Sequence, residues 1–272
     1  MTSHTTQVSL MLRFFINLNR SVKRRENIKK RLKELDLDFE RCEAVDAGTF
    51  SDEFCQNIQY GRNDVNIRSR YTRQLTPAEI GCFLSHRECW KRLIQSDEEY
   101  AAVLEDALLI SDRAATYLKD TKWLPEKIGI CRLSCYEPGE IHVISRDQIK
   151  INEDLRLIIQ LKPKPLGTQG YIISKKAAEL ALSLSEKLPC PVDDFLFTPL
   201  FEMSRHFPAW QIDPCIITRD FAQNSVIGSR SKGNIKALKA NFFIRHGLKR
   251  LLLKARIKRI VKKGERSVLN FK

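Results

Sequence analysis

Two pairs of adjacent carboxylates stand out in this chain of 272 residues, Glu105-Asp106 and Asp193-Asp194. The first pair ends the apolar run Tyr100 to Leu104. Neighbouring acids are costly to bury unless they bind something or reach solvent. In open α/β folds the ligand crevice lies beyond the carboxyl ends of the strands. Carboxylates there hold a divalent cation bridging a diphosphate, or hydrogen-bond a ribose. A solvated loop or a helix N-terminus would accommodate the same pair. Asp193-Asp194 follows Pro189 and Pro191 and opens an apolar stretch. Acids favour helix starts in any case, so the pair reads either as a cap with a first-turn charge or as the source of a general base. Ser85-His86 sits in a helical pattern, where a lone histidine is more often a packed residue than a catalyst. Gly167-Thr-Gln-Gly-Tyr171 is a turn entering a strand. Its glycines either admit a ligand closely or simply make the turn.

The elements that position these residues follow from hydrophobic period and capping signals. Val8 to Leu18 reads as a buried strand, and Ser21 as the cap of a helix reaching Leu35 with Val22, Ile28, Leu32 and Leu35 inward. Phe39 to Val45 reads as the next strand, closed by Asp46-Ala47-Gly48. Thr76-Pro77-Ala78-Glu79 is a capping box with proline at the first helical position, and Ile80, Phe83, Leu84, Trp90 and Leu93 form the apolar side of its helix. Strands are expected at Tyr100 to Leu104, Ile128 to Leu133, Ile141 to Ile144, Leu155 to Leu161 and Gly170 to Ile173. Helices are expected at Ser174 to Lys187 and from Asp193 through Met203, and Pro208 to Thr218 reads as extended. Strand, helix, strand at the start is the opening of a nucleotide-binding α/β layer.

The formal net charge of +14 belongs to one end of the chain. Residues 230–272 hold 15 of the 47 Lys and Arg and only one acid, Glu265, leaving 32 basic and 32 acidic residues in a neutral body. The division expected is a catalytic domain over residues 1–220, a polar linker over 221–233 and a basic amphipathic tail over 234–272. In the tail Leu248, Leu251, Leu252, Ala255, Ile260 and Val261 recur at helical spacing among lysines and arginines. Such a helix lies on an anionic bilayer through residues 235–263, apolar face down, or packs its apolar face on the body. A nucleic-acid partner is not expected, because the body is neutral and carries no recognised motif. No run reaches the ~18 apolar residues of a membrane span, and the N-terminus has no basic region ahead of its short apolar run, so it reads as a strand and not a signal peptide. The eight cysteines lack paired zinc spacing and read as reduced, mostly buried thiols of a cytoplasmic protein.

In order along the chain, six segments resemble glycosyltransferase family 25, which includes bacterial lipooligosaccharide galactosyl- and glucosyltransferases. They are Phe15-Ile-Asn-Leu-Asn-Arg20 with Arg24-Arg25, Ala44-Val-Asp46-Ala, Leu75 through His86 with Trp90, Val103-Leu-Glu-Asp106, Gly167 through Ala177, and Pro191-Val-Asp193. The resemblance covers roughly residues 9 to 220. It implies a GT-A-like nucleotide-sugar-binding fold with a mixed central sheet, a UDP-sugar donor carrying galactose or glucose, transfer with inversion, and a lipid-linked saccharide acceptor. It implies donor contacts from Asn17, Asn19, Arg20, Arg24, Asp46, Ser85, His86, Glu105, Asp106, Thr168 and Gln169, and catalysis by Asp193 or Asp194. A divalent metal, Mn2+ or Mg2+, is implied at Asp106 and Glu105. The family usually has a third acid after this pair, and Ala107 stands there, which puts the metal in question and leaves a non-catalytic sugar-nucleotide-binding or saccharide-binding homologue as the alternative. The location implied is cytoplasmic, peripheral on the inner face of the bacterial inner membrane.

Overall fold

The computed structural model describes residues 11–60, 74–135, 138–161, 167–199, 201–222, 258 and 262–272. The expected linker beyond Ala222, nearly all of the expected basic helix and the start of the first strand, 8–10, lie outside them. Strand β1 (Leu12–Asn17) leads into helix α1 (Val22–Glu34) and strand β2 (Glu40–Glu43). Ser21 occupies the cap position of α1, but its side chain makes no capping bond. A 3-10 turn (Ala47–Thr49) and α2 (Asp52–Asn57) precede the long α3 (Pro77–Gln95). At the start of α3 Thr76 and Glu79 form the reciprocal capping box, with proline beside it, an arrangement worth about 1 kcal/mol.

Then follow β3 (Tyr100–Leu104), β4 (Leu108–Ile110), α4 (Ala114–Leu118), β5 (Ile130–Arg132), β6 (Ser134–Cys135), β7 (Ile141–Ser145), β8 (Ile149–Lys150) and β9 (Arg156–Ile159). The last elements are β10 (Gly170–Ser174), α5 (Lys175–Leu184), α6 (Val192–Phe197), α7 (Met203–His206), β11 (Ala209–Asp213), β12 (Ile217–Arg219) and β13 (Gly264–Val268). The helix expected from Asp193 through Met203 breaks after Phe197. Pro199 disfavours helical backbone at Thr198, which is extended.

Eight strands form one mixed sheet in the order β2-β1-β3-β10-β5-β11-β9-β8. β1 runs parallel to both β2 and β3, and β10 is antiparallel to β3. Strand alternation sends successive side chains to opposite faces, and each face has its own core. Phe14, Ile16, Ala101, Val103, Tyr171 and Ile173 meet α3, α5 and α6. Phe15, Ala102, Leu104 and Ile172 meet α1 and α4. The result is a three-layer α/β/α arrangement. Trp90, Phe83 and Ile80 are fully enclosed, which fixes α3 against the sheet.

The last residues return to this body. β13 pairs antiparallel with β7, Leu269 is buried, and Cys215 bonds the backbone of Asn270 and Lys272. Residues 264–268, within the stretch expected to be a helical tail, are therefore a strand.

Candidate active site

The sheet order places β1 between β2 and β3: the chain passes from β1 out to β2 through α1 on one face, then returns past β1 to β3 through α3 on the other face, reversing direction. Where strand order reverses in this way, a crevice opens beyond the carboxyl ends of the strands. Phe15 lies opposite Leu104 in the β1–β3 register, and two residues further on Asn17 meets Asp106. Asn17 Nδ2 donates to Asp106 Oδ2 at 2.7 Å, and Arg24 from the first turn of α1 approaches Asp106 Oδ1 at 3.4 Å. Burial pushes the Asp106 carboxyl up, and Asn17 and Arg24 only partly offset it.

Alternation parts the two acids of this pair. Glu105 turns toward α3, where its Oε1 accepts from Thr168 Oγ1 at 2.5 Å and lies 3.7 Å from His86 Nε2. Burial alone would raise the Glu105 carboxyl. His86, the Thr168 hydroxyl and the charge of Arg219 together outweigh that and hold it below its ordinary value. The Glu105 backbone N–H also donates to Gln169 O at 3.0 Å, extending the β3–β10 ladder.

Gly167 and Thr168 connect this corner to α6. Gly167 has φ +63, left-handed backbone that glycine adopts without strain, and its N–H donates to Asp193 Oδ2 at 3.1 Å. Asp193 Oδ1 accepts from the Asp194 N–H at 2.9 Å. A path of contacts thus runs from Glu105, next to Asp106 in the chain, through Thr168 and Gly167 to Asp193. Asp194 is buried and takes the Thr198 hydroxyl at 2.8 Å, which secures the short helix from within. Burial first, then Glu105 and Asp193, push the Cys82 thiol well up.

The other expected contacts divide into two groups. Asn19 accepts from Arg41 at 2.5 Å and bonds Glu43, and Arg20 pairs with Asp46 at the surface. Asp46 Oδ1 caps its turn through Gly48 N at 2.9 Å. These residues rim the β1 end. Ser85 and Gln169 are turned inward. Ser85 Oγ donates to Gly81 O at 2.7 Å and accepts from Val45 N at 2.9 Å, while Gln169 Oε1 takes the Ser134 hydroxyl at 3.3 Å. Ser85 therefore fastens the end of β2 to α3.

Sequence reasoning passed over three contributors. Arg41 donates to Asn17 Oδ1 at 3.2 Å and to Asn17 O at 3.1 Å. The signal available was its place on β2 beside the end of β1. Arg132 is buried on β5 with its guanidinium 5.4 Å from the Phe197 ring centre, and burial lowers it to about 10. Tyr171 is fully buried, and its hydroxyl accepts from Trp90 Nε1 at 2.9 Å and meets His86 Nδ1 at 2.9 Å. All eight cysteines are free thiols, six of them buried. Among the described residues no helix is long and apolar enough to cross a membrane.

Fold and site together define an open α/β protein with a mixed-charge polar cluster at its topological switch point. The sequence profile of glycosyltransferase family 25 (LPS biosynthesis protein) matches residues 11–196, which hold all of this cluster but Phe197, Thr198 and Arg219. The chain belongs to that family. Relatives include the lacto-N-neotetraose biosynthesis glycosyltransferase LgtE of Neisseria meningitidis, 31% identical over 170 residues, covering 57% of this chain and 59% of that protein. The lipooligosaccharide biosynthesis protein lex-1 of Haemophilus influenzae is 28% identical over 200 residues, covering 70% and 64%. Procollagen galactosyltransferase 1-B of Xenopus laevis is 29% identical over 226 residues, covering 75% of this chain and 35% of that one. The chain spans about three-fifths of the length of the bacterial relatives it matches.

The Tyr171 hydroxyl joins two buried groups, so its removal strands a buried indole N–H. Tyr171→Phe is expected to lower unfolding stability by roughly 1–3 kcal/mol, measured as a shifted urea midpoint at constant slope.

Proposed function

We propose that the chain is a glycosyltransferase of GT-A-like fold that moves a hexose, galactose or glucose, from a UDP-sugar to the saccharide of a lipid-linked acceptor, with inversion. The observation that carries this reading is the contact path joining Glu105, the chain neighbour of Asp106, to Asp193 through Thr168 and Gly167. Acids from segments 87 residues apart in sequence stand around one corner of the sheet. The names of the relatives, a lacto-N-neotetraose biosynthesis glycosyltransferase, a lipooligosaccharide biosynthesis protein and a procollagen galactosyltransferase, agree with the class of reaction.

In this reading Asn17, Asn19 and Arg20 line the nucleotide, and Asp106 contacts the ribose. Arg24 and Arg41 supply positive charge where the diphosphate develops its own in the transition state. Asp193 accepts the proton of the acceptor hydroxyl as that oxygen bonds to the anomeric carbon. The bond from that carbon to the diphosphate breaks at the same time, UDP leaves with the electron pair, and one in-line displacement inverts the centre. Backbone N–H groups on both Asp193 oxygens fix the orientation of the carboxylate.

The carboxylates of Glu105 and Asp106 turn to different partners, Asp106 is engaged by Asn17 and Arg24, and Ala107 offers no ligand. The displacement proposed here is therefore routed through side chains alone.

The acceptor's lipid gives the basic segment its use. Residues 235–263 hold eleven Lys and Arg and no acid, and each cation near an anionic surface contributes about 1 kcal/mol. Ahead of the segment, Asp220 N donates to Ala107 O at 3.1 Å, directly after the acidic pair. After it, residues 264–268 pair with β7. In this reading the segment grips the anionic bilayer at the cytoplasmic face of the inner membrane, where the lipid-linked acceptor resides.

Asp193→Asn keeps an acceptor for Gly167 N and is expected to lower transfer at least ~100-fold, with UDP still raising the melting temperature as in the parent chain. Normal turnover would refute the assignment. The full chain is expected to sediment with vesicles of anionic lipid at low salt and to release at high salt, without shifting duplex or single-stranded DNA in a gel.

A further inference from the structure

We propose that Cys82, His86 and Glu105 form a binding site for a soft divalent cation of the zinc type. Cys82 and His86 are four residues apart on α3 and share one face of it. Glu105, the first residue beyond β3, turns to the same face. Cys82 Sγ, a His86 ring nitrogen and a Glu105 carboxylate oxygen all lie within 4.8 Å of one another. Among the described residues this is the one such group of three.

The second observation is the state of the imidazole. His86 is 1% exposed, and its Nε2 has no hydrogen-bond partner among the described residues. That nitrogen faces Glu105 Oε1 at 3.7 Å, too far for a hydrogen bond. A buried polar atom left this way is unusual, because protein interiors satisfy such groups. A cation between the ring and the carboxylate would satisfy both. The opposite nitrogen is already fixed: Nδ1 meets Tyr171 Oη at 2.9 Å, and Trp90 Nε1 donates to that same oxygen at 2.9 Å. A ligating histidine ordinarily has its second nitrogen held in this manner, which sets tautomer and ring plane.

The donor types select the metal. One thiolate, one imidazole and one carboxylate suit zinc, whose catalytic sites keep three protein ligands and an open position. Mg2+ and Mn2+ favour oxygen-only shells. The cation suited to this corner therefore differs in kind from one held by Glu105 with Asp106. A bound ion would add a Lewis acid beside Thr168 and Asp193.

The site is testable without any sugar nucleotide, so it stands or falls apart from the donor reading. The full chain, stripped with a chelator and kept reduced, is titrated with Zn2+ against a chromophoric competitor, and separately with Co2+. One equivalent of zinc is expected, with a thiolate-to-cobalt charge-transfer band in the near ultraviolet. Cys82→Ser should weaken zinc at least tenfold and abolish the band. Glu105→Gln, which keeps an acceptor for Thr168, should weaken zinc to a similar degree if the serine variant fails to fold. Asp106→Asn should change neither. Absence of stoichiometric zinc, a band that survives Cys82→Ser, or loss in Asp106→Asn alone would overturn the proposal.

Discussion

The β1–β3 register governs where everything else in this molecule can go. Pairing Phe15 with Leu104 brings the carboxyl ends of two parallel strands level, and the residues just past those ends, Asn17 and Asp106, then meet at 2.7 Å. A slip of one residue would turn every side chain of β1 to the wrong face. Phe14 and Ile16 would exchange cores with Phe15, which neither face accommodates at interior packing density. The apolar cores on the two sides of the sheet therefore hold the polar corner in place. The same alternation that builds those cores parts Glu105 from Asp106, giving one acid to α3 and the other to the start of α1.

β10 completes the corner because it runs against β3. Its first residue lies opposite Leu104, so the turn leading into it, Gly167 to Gln169, is forced past Glu105. Gly167 takes the left-handed backbone the turn requires and offers its N–H to Asp193. A helix that packs on α3 is thereby joined to the strand ends through a single peptide. Asp220, bonded through its N–H to Ala107 O, lies beside this junction.

Much of this was legible in the sequence where local signals agree. The Thr76 capping box, the strand Tyr100–Leu104 and the buried side of α3 appear as read, because caps and periodicity are set within a few residues. The ordered motifs also contain Asn17, Asp106, Gly167 and Asp193, which the fold brings near the strand ends. What could not be read depends on contacts between distant segments. Arg41 gives no local hint that it brackets Asn17, since that follows from β1–β2 pairing. Cys82 looked like any buried thiol until α3 was laid against the end of β3. Thr198-Pro199 did carry a local signal, and the helix expected to continue through Met203 stops there. The strand at 264–268 was hidden inside a strongly basic stretch whose charge suggested a different partner.

The central claim is that UDP occupies the corner where β1, β3 and the turn before β10 converge. Hydrogen–deuterium exchange of the full chain with and without UDP tests it most directly. Backbone amides in 17–24, 104–107 and 167–170 should exchange more slowly when the nucleotide is bound, with α5 and β13 unchanged. Tight binding of UDP with protection elsewhere, and none in these three segments, would contradict the account.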